Sequence, residues 1–107
     1  MRSLLSRITA RRNSPAEILS IATDIRSHLL FFSKIEDINA NRSFLDRMSK
    51  VRQFLPISEK DVEKRSEEVN DVLFSSYSLI TEMKNYLHDL RNKRELLLAE
   101  SDREVFS

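Results

Sequence analysis

Glycine does not occur anywhere in this chain of 107 residues. Hairpin turns, β-bulges and phosphate-cradling loops rely on glycine, which enters positive φ without a Cβ penalty. A chain without it is best served by helices joined at capped breaks. Two prolines, Pro15 and Pro56, complete the inventory of strong breakers. The expected fold class is therefore all-α, and a chain of this length supplies one domain.

Periodicity sharpens that expectation. From about Glu59 to about Ala99, Val62, Val69, Ser76, Met83, Leu90 and Leu97 recur every seven residues. Val72, Leu73, Leu79, Ile80, Tyr86 and Leu87 fill positions three and four residues on. This is the apolar pattern of a helix laid against other helices. A first arm precedes it. Ile18, Ile21, Ala22, Ile25, Leu29 and Phe32 form one stripe, extended by Ile35, and Phe44, Leu45, Met48, Val51 and Leu55 resume it. Asp, Asn and Ser residues between 36 and 43 bond to their own backbone in turns. They mark a weak point near Asn39–Ser43 within what reads as one arm.

The boundaries are chemically marked. Ser14-Pro15-Ala16-Glu17 is a capping box with proline at the first helical position. Pro56 disfavours helix at Leu55, and Ser58 caps the next segment with Asp61 three residues on. Two arms, about 15–55 and 59–100, predict a long antiparallel, coiled-coil-like hairpin reversing at Pro56-Ile57. Residues after Ala99 are expected to fray.

Charge is abundant but balanced: 33% of residues are charged and the net charge is +1. Such balance gives no general bias toward nucleic acid, so a nucleic-acid partner is not expected from the chain as a whole. The acids opening the second arm, from Glu59 to Asp71, and Arg91, Lys93 and Arg94 near its end suit the helix macrodipole and read as solvated faces.

Residues 1–14 differ from the rest. They hold Arg2, Arg7, Arg11 and Arg12 and no acid, and Leu4, Leu5 and Ile8 would share one helical face. The leading expectation is a short basic helix packed beside the bundle. The segment also resembles a mitochondrial presequence and a weak anchor for an anionic membrane surface, which makes the four arginines candidate surface-binding residues. Arg11-Arg12-Asn13-Ser14 fits the basic-basic-x-Ser pattern of some kinases, although Ser14 reads first as a helix cap.

Several chemistries have no residues to perform them. Without cysteine there is no disulfide, thiolate or cysteine-based metal site. The longest apolar run, Leu29 to Phe32, is far short of a membrane span, and residues 1–14 lack a secretory apolar core. The expected location is cytoplasmic, or the mitochondrial matrix if residues 1–14 act as a presequence. Neither His28 nor His88 follows the carboxylate-x-x-His spacing of a bundle di-metal centre. Met48 and Met83 read as core filler rather than haem ligands. No cofactor, metal or small-molecule substrate is expected, and the chain reads as non-enzymatic.

His88-Asp89-Leu90-Arg91-Asn92 resembles the His-Asp-x-x-Asn segment around the phospho-accepting histidine of some sensor kinases and related phosphotransferases. That resemblance implies a four-helix bundle in which an exposed His88 takes a phosphoryl group. It spans five residues. Those families place the histidine on the first helix of the hairpin, whereas His88 lies on the second arm and Lys93-Arg94 follow it.

A two-helix hairpin buries one seam, too little for stability in most small domains. Leu29, Leu30, Phe31 and Phe32 point in four directions about 100° apart, so Leu30 and Phe31 leave the stripe. Ile38, Phe74 and Tyr77 do the same. Leu30, Phe31, Ile38, Phe74 and Tyr77 are therefore the candidate partner-binding residues. The hairpin is expected to be completed to a bundle by a second copy or by a protein with a helical surface. The expected function is that of an adaptor, chaperone or small subunit acting by helix packing. The alternatives are phosphotransfer through His88, or binding of nucleic acid or anionic membrane by residues 2–12.

Overall fold

A computed structural model describes residues 3–10 and 13–106, with side chains described through Ser101. Of the described residues 86% are helical, and none lies in a strand. The helices are α1 (Leu4–Thr9), α2 (Pro15–Phe32), α3 (Glu36–Asn39), α4 (Arg42–Phe54), α5 (Glu59–Lys64) and α6 (Ser66–Phe106).

Side-chain caps set most of the starts. The Ser3, Ser14 and Asn41 side chains accept the backbone N–H of Ser6, Glu17 and Phe44, and Pro15 opens α2. At α5 the capping box is reciprocal: Ser58 accepts from Asp61 N, and Asp61 Oδ2 accepts from Ser58 N at 2.8 Å. This satisfies donors that a helix start leaves without partners.

The segment 15–55 is not one arm. It breaks first at Ser33–Ile35, earlier than the predicted weak point. Ser33 Oγ donates to Leu30 O at 2.7 Å, Asn39 Nδ2 donates to Ser33 O at 2.8 Å, and Ile35 is extended. These bonds satisfy the carbonyls that a continuing helix would have used. The chain turns through α3, and α4 packs back against α2 and α6.

Contacts along α6 give the directions. Asp37 bonds Arg94, Phe44 stacks edge-on with Tyr86, Arg47 pairs with Glu82, and Phe54 lies under Arg65. The first partner climbs as the second falls, so α4 runs antiparallel to α6. Pro15 and Ile18 share a groove with Ser66 and Asn70, whereas His28 and Phe31 share a hollow with Lys84. Hence α2 runs parallel to α6. The architecture is an up–down–up three-helix bundle in place of the predicted two-armed hairpin, although the reversal at Pro56-Ile57 is present.

The core lies where the three helices meet. Ile21, Ile25 and Leu29 of α2, Met48 of α4, and Leu73 and Met83 of α6 are completely buried. Ile38 is also fully buried and closes one end. Ser76 is the one buried polar residue among those described, and its hydroxyl donates to Val72 O at 2.6 Å. That bond offsets the cost of taking a hydroxyl out of water.

Two features of the second arm differ from expectation. It is interrupted at Arg65, whose φ of −126° and ψ of 38° end α5 and let Val62 bury against the bundle. Arg65 also forks onto Glu68 at 2.7 and 2.9 Å. At its other end α6 does not fray at Ala99 but runs to Phe106. At about 1.5 Å per residue it is roughly 60 Å long, which sets the 66 Å long axis of the molecule. The radius of gyration is 18.1 Å, against about 13 Å for a compact domain of this size.

Candidate functional site

The residues proposed for partner binding do not form one surface. Ile38 is removed from the set: it is 0% exposed, because the α2–α4 reversal turns it into the core of its own chain. Tyr77 is half-buried against that core. Phe74 is 46% exposed and lines an open groove of about 470 Å³ with Ile8, Pro15, Ile18 and Val62. That groove lies beside the start of α2. Leu30 and Phe31 lie at the opposite end of the same helix, 56% and 64% exposed. Leu30 faces the α4 side beside Arg26 and Arg52, whereas Phe31 faces the α6 side beside His28 and Lys84. Phe32, one residue on, is 3% exposed and meets the Phe31 ring edge-on at 5.6 Å.

The end that carries Leu30 and Phe31 has a larger apolar feature. The bundle reaches along α6 as far as Arg94, which Asp37 holds with both carboxylate oxygens at 3.1 Å. Directly beyond it stand Leu96, Leu97 and Leu98, exposed at 63%, 65% and 66%. Every residue from Arg91 to Ser101 is exposed. Leu97 continues the seven-residue register of Val69, Ser76 and Met83, so the seam of α6 outlasts the helices that cover it. Sequence reasoning placed Leu97 in the repeat but assigned no role to Leu96 or Leu98. A signal was present: Lys93 and Arg94 occupy the positions three and four after Leu90, where the repeats from Val69, Ser76 and Met83 have apolar residues.

The basic N-terminal segment is used inward where it is described. α1 docks on α2 and α6 through Ile8, which is 5% exposed and belongs to the same core. Arg7 lies across α2, pairing with Asp24, with Glu17 at 3.0 Å, and donating to Ser20 Oγ at 3.0 Å. Its hydrogen bonds to Asp24 and then Glu17 push its pKa up, so it stays charged and engaged. Arg7 is thus spent on the fold rather than offered to a surface. Arg2, Arg11 and Arg12 lie outside the described residues.

His88 is exposed on α6, with Asn92 Nδ2 3.4 Å from its Nδ1. No carboxylate bonds its ring among the described residues. His28 is half-buried, and its Nδ1 lies 2.7 Å from Asp24 O; an N–H there donates to that carbonyl.

The other perturbed groups are surface pairs and caps. Glu82 is held below the usual carboxylate range by its hydrogen bond from Arg47, and Glu68 by the fork of Arg65. Asp61 is lowered by the backbone N–H and hydroxyl of Ser58. Among the described residues no three or more His, Asp or Glu side chains converge as a metal-binding group. None of their helices is long and apolar enough to cross a membrane. No protein-family model matches this sequence, and comparison with curated proteins and with solved structures gives no significant match.

Proposed function

We propose that this protein is a non-enzymatic helical interaction module, an adaptor, chaperone or small subunit that binds another helical surface. The observation that supports this reading is the apolar end of the bundle. Leu30 and Phe31 on α2 and Leu96, Leu97 and Leu98 on α6 are all more than half exposed. Burying such a side chain contributes about 1.5–3 kcal/mol, and large exposed patches mark interaction sites. The perturbed titratable groups lie in caps and surface pairs, so their shifts are accounted for without a reaction. The association is of the coiled-coil type, with the bare length of α6 laid along a partner helix. Leucine and phenylalanine anchors supply most of its energy.

Photo-cross-linking in the native cell tests this. A cross-linker at Phe31 or Leu97 should give discrete adducts, and one at exposed Asp71 should not. Equal labelling from all three positions, or none from the first two, would reject the reading.

A further inference from the structure

The bare part of α6 carries its charge in an order that names its partner. Residues 91–95 read Arg-Asn-Lys-Arg-Glu, three bases and one acid; residues 100–104 read Glu-Ser-Asp-Arg-Glu, three acids and one base. Leu96, Leu97 and Leu98 lie between the two blocks and are exposed. Within the basic block Glu95 pairs with Arg91 at 3.3 Å and Asp37 holds Arg94 at 3.1 Å, which leaves one net positive charge there, with Lys93 exposed. A helix with a basic block, an apolar centre and an acidic block is complementary to its own reverse. Two copies laid side by side in parallel would set like charge on like. Laid antiparallel, each basic block meets an acidic block and Leu97 and Leu98 meet their copies across the axis, with Leu96 at the edge about 100° from Leu97.

Resting on the interaction-module reading, we infer that the partner is a second copy of this chain, joined antiparallel about a two-fold axis at Leu97–Leu98. In that register residues 91–95 of one copy run beside residues 100–104 of the other. The contact is isologous: one surface patch serves both subunits, and the assembly closes at two. A foreign helix would have to bring the matching charge order, whereas a second copy supplies it by symmetry. The structure also leaves this length of helix free. The α2–α4 reversal ends at the Asp37–Arg94 contact, so α6 beyond it has no neighbour from its own chain among the described residues.

The full-length protein tests this directly. Light scattering should give twice the 12.6 kDa chain mass. Leu97→Asp should give the chain mass with the same helical circular dichroism and a thermal midpoint that no longer rises with protein concentration, as the parent's should. Two charge variants then fix the orientation. Arg91→Glu with Lys93→Glu, and separately Asp102→Lys with Glu104→Lys, should each dimerise roughly tenfold or more weakly than the parent. Their equimolar mixture should recover the dimer.

Because the chain has no cysteine, single cysteines report proximity cleanly. Leu97→Cys should oxidise to a disulfide dimer, whereas Arg91→Cys should not, since antiparallel copies separate these positions by roughly 20 Å. A parent protein of chain mass at about 100 μM, well above a micromolar Kd, would overturn the inference. Disulfides at both positions, or charge variants that dimerise as well as the parent, would do the same. A monomeric parent that still gives discrete adducts to another protein from Leu97 in cells would reject self-pairing and leave the interaction reading standing.

Discussion

The two halves of α6 are one helix under two conditions. Between Ser66 and Leu90 its inward-facing apolar residues are covered by α2 and α4: Val69, Leu73, Leu79, Ile80 and Met83 are 0–2% exposed, with Phe74 outside that set at 46%. Between Arg91 and Ser101 every residue is exposed, and the leucines are 63–66% exposed. Composition does not separate the halves, since both carry apolar residues of one seven-residue register amid charge, Val69 and Met83 in the first and Leu97 in the second. The difference is whether the chain sends another helix alongside. The apolar repeat runs through both halves, and its interruption at Lys93-Arg94 coincides with the end of the cover that the chain's own helices provide.

The largest expected effect comes from breaking the covered half. Leu73→Ala should cost about 2–5 kcal/mol of unfolding free energy in urea, through lost transfer energy and the cavity left behind. That is a large share of the roughly 5–15 kcal/mol available to a domain. Leu97→Ala should leave the unfolding free energy of the isolated monomer within about 0.5 kcal/mol. Equal losses at the two positions would erase the distinction between the halves.

The same contrast is compressed into two neighbours on α2. Phe32→Ala should cost about 3–5 kcal/mol, as for a buried aromatic. Phe31→Ala should remain near the surface-substitution level of about 0.5 kcal/mol, with its larger effect on association.

A smaller effect belongs to α1, a short element held by the buried Ile8, the half-buried Leu4 and the ion pairs of Arg7. Arg7→Ala should cost about 1 kcal/mol, limited by solvent screening of partly exposed partners. Its clearest signature should be faster amide exchange across Leu4–Thr9 with α2 unchanged. If exchange instead rises equally along α2, α1 is integral to the bundle rather than latched onto it.

The smallest effect is a pH dependence at the α5 start. Asp61 has a lowered pKa in the folded chain. Its contribution is fully present above the ordinary carboxylate pKa and is lost as pH falls through the lowered one. Asp61→Asn should therefore flatten the fall of the thermal midpoint between about pH 5 and pH 2. It should do so only in part, because Glu68 and Glu82 are lowered as well. An unchanged slope would remove the capping box from the acid response.

Much of the fold was legible. The caps at Ser14 and Ser58, the stripe Ile18–Phe32, the break at Pro56 and the seam of α6 through Met83 all rest on short-range rules: side-chain bonds to nearby backbone, the fixed φ of proline, and a period of 3.6. The break at Ser33 was not legible, because Ser-Lys-Ile is compatible with helix. It ends α2 only because Asn39, six residues on, supplies the hydrogen bond to Ser33 O. Ile38 was misplaced for the same reason. Its position off the stripe suggested a partner, but the stripe stops at Phe32 and Ile38 belongs to a new turn packed inward.

By itself, the sequence determined that this protein is helical, where its capped helices begin, and which side chains seek cover. Each of those follows from interactions spanning a turn or two. What covers each side chain was decided only by the tertiary structure. It buried Phe32, Ile38 and Met83 within their own chain and left Phe31, Leu96, Leu97 and Leu98 more than half exposed. Burial depends on where distant segments come to lie, and the extended backbone at Ile35 is what lets α4 fold back onto α2 and α6.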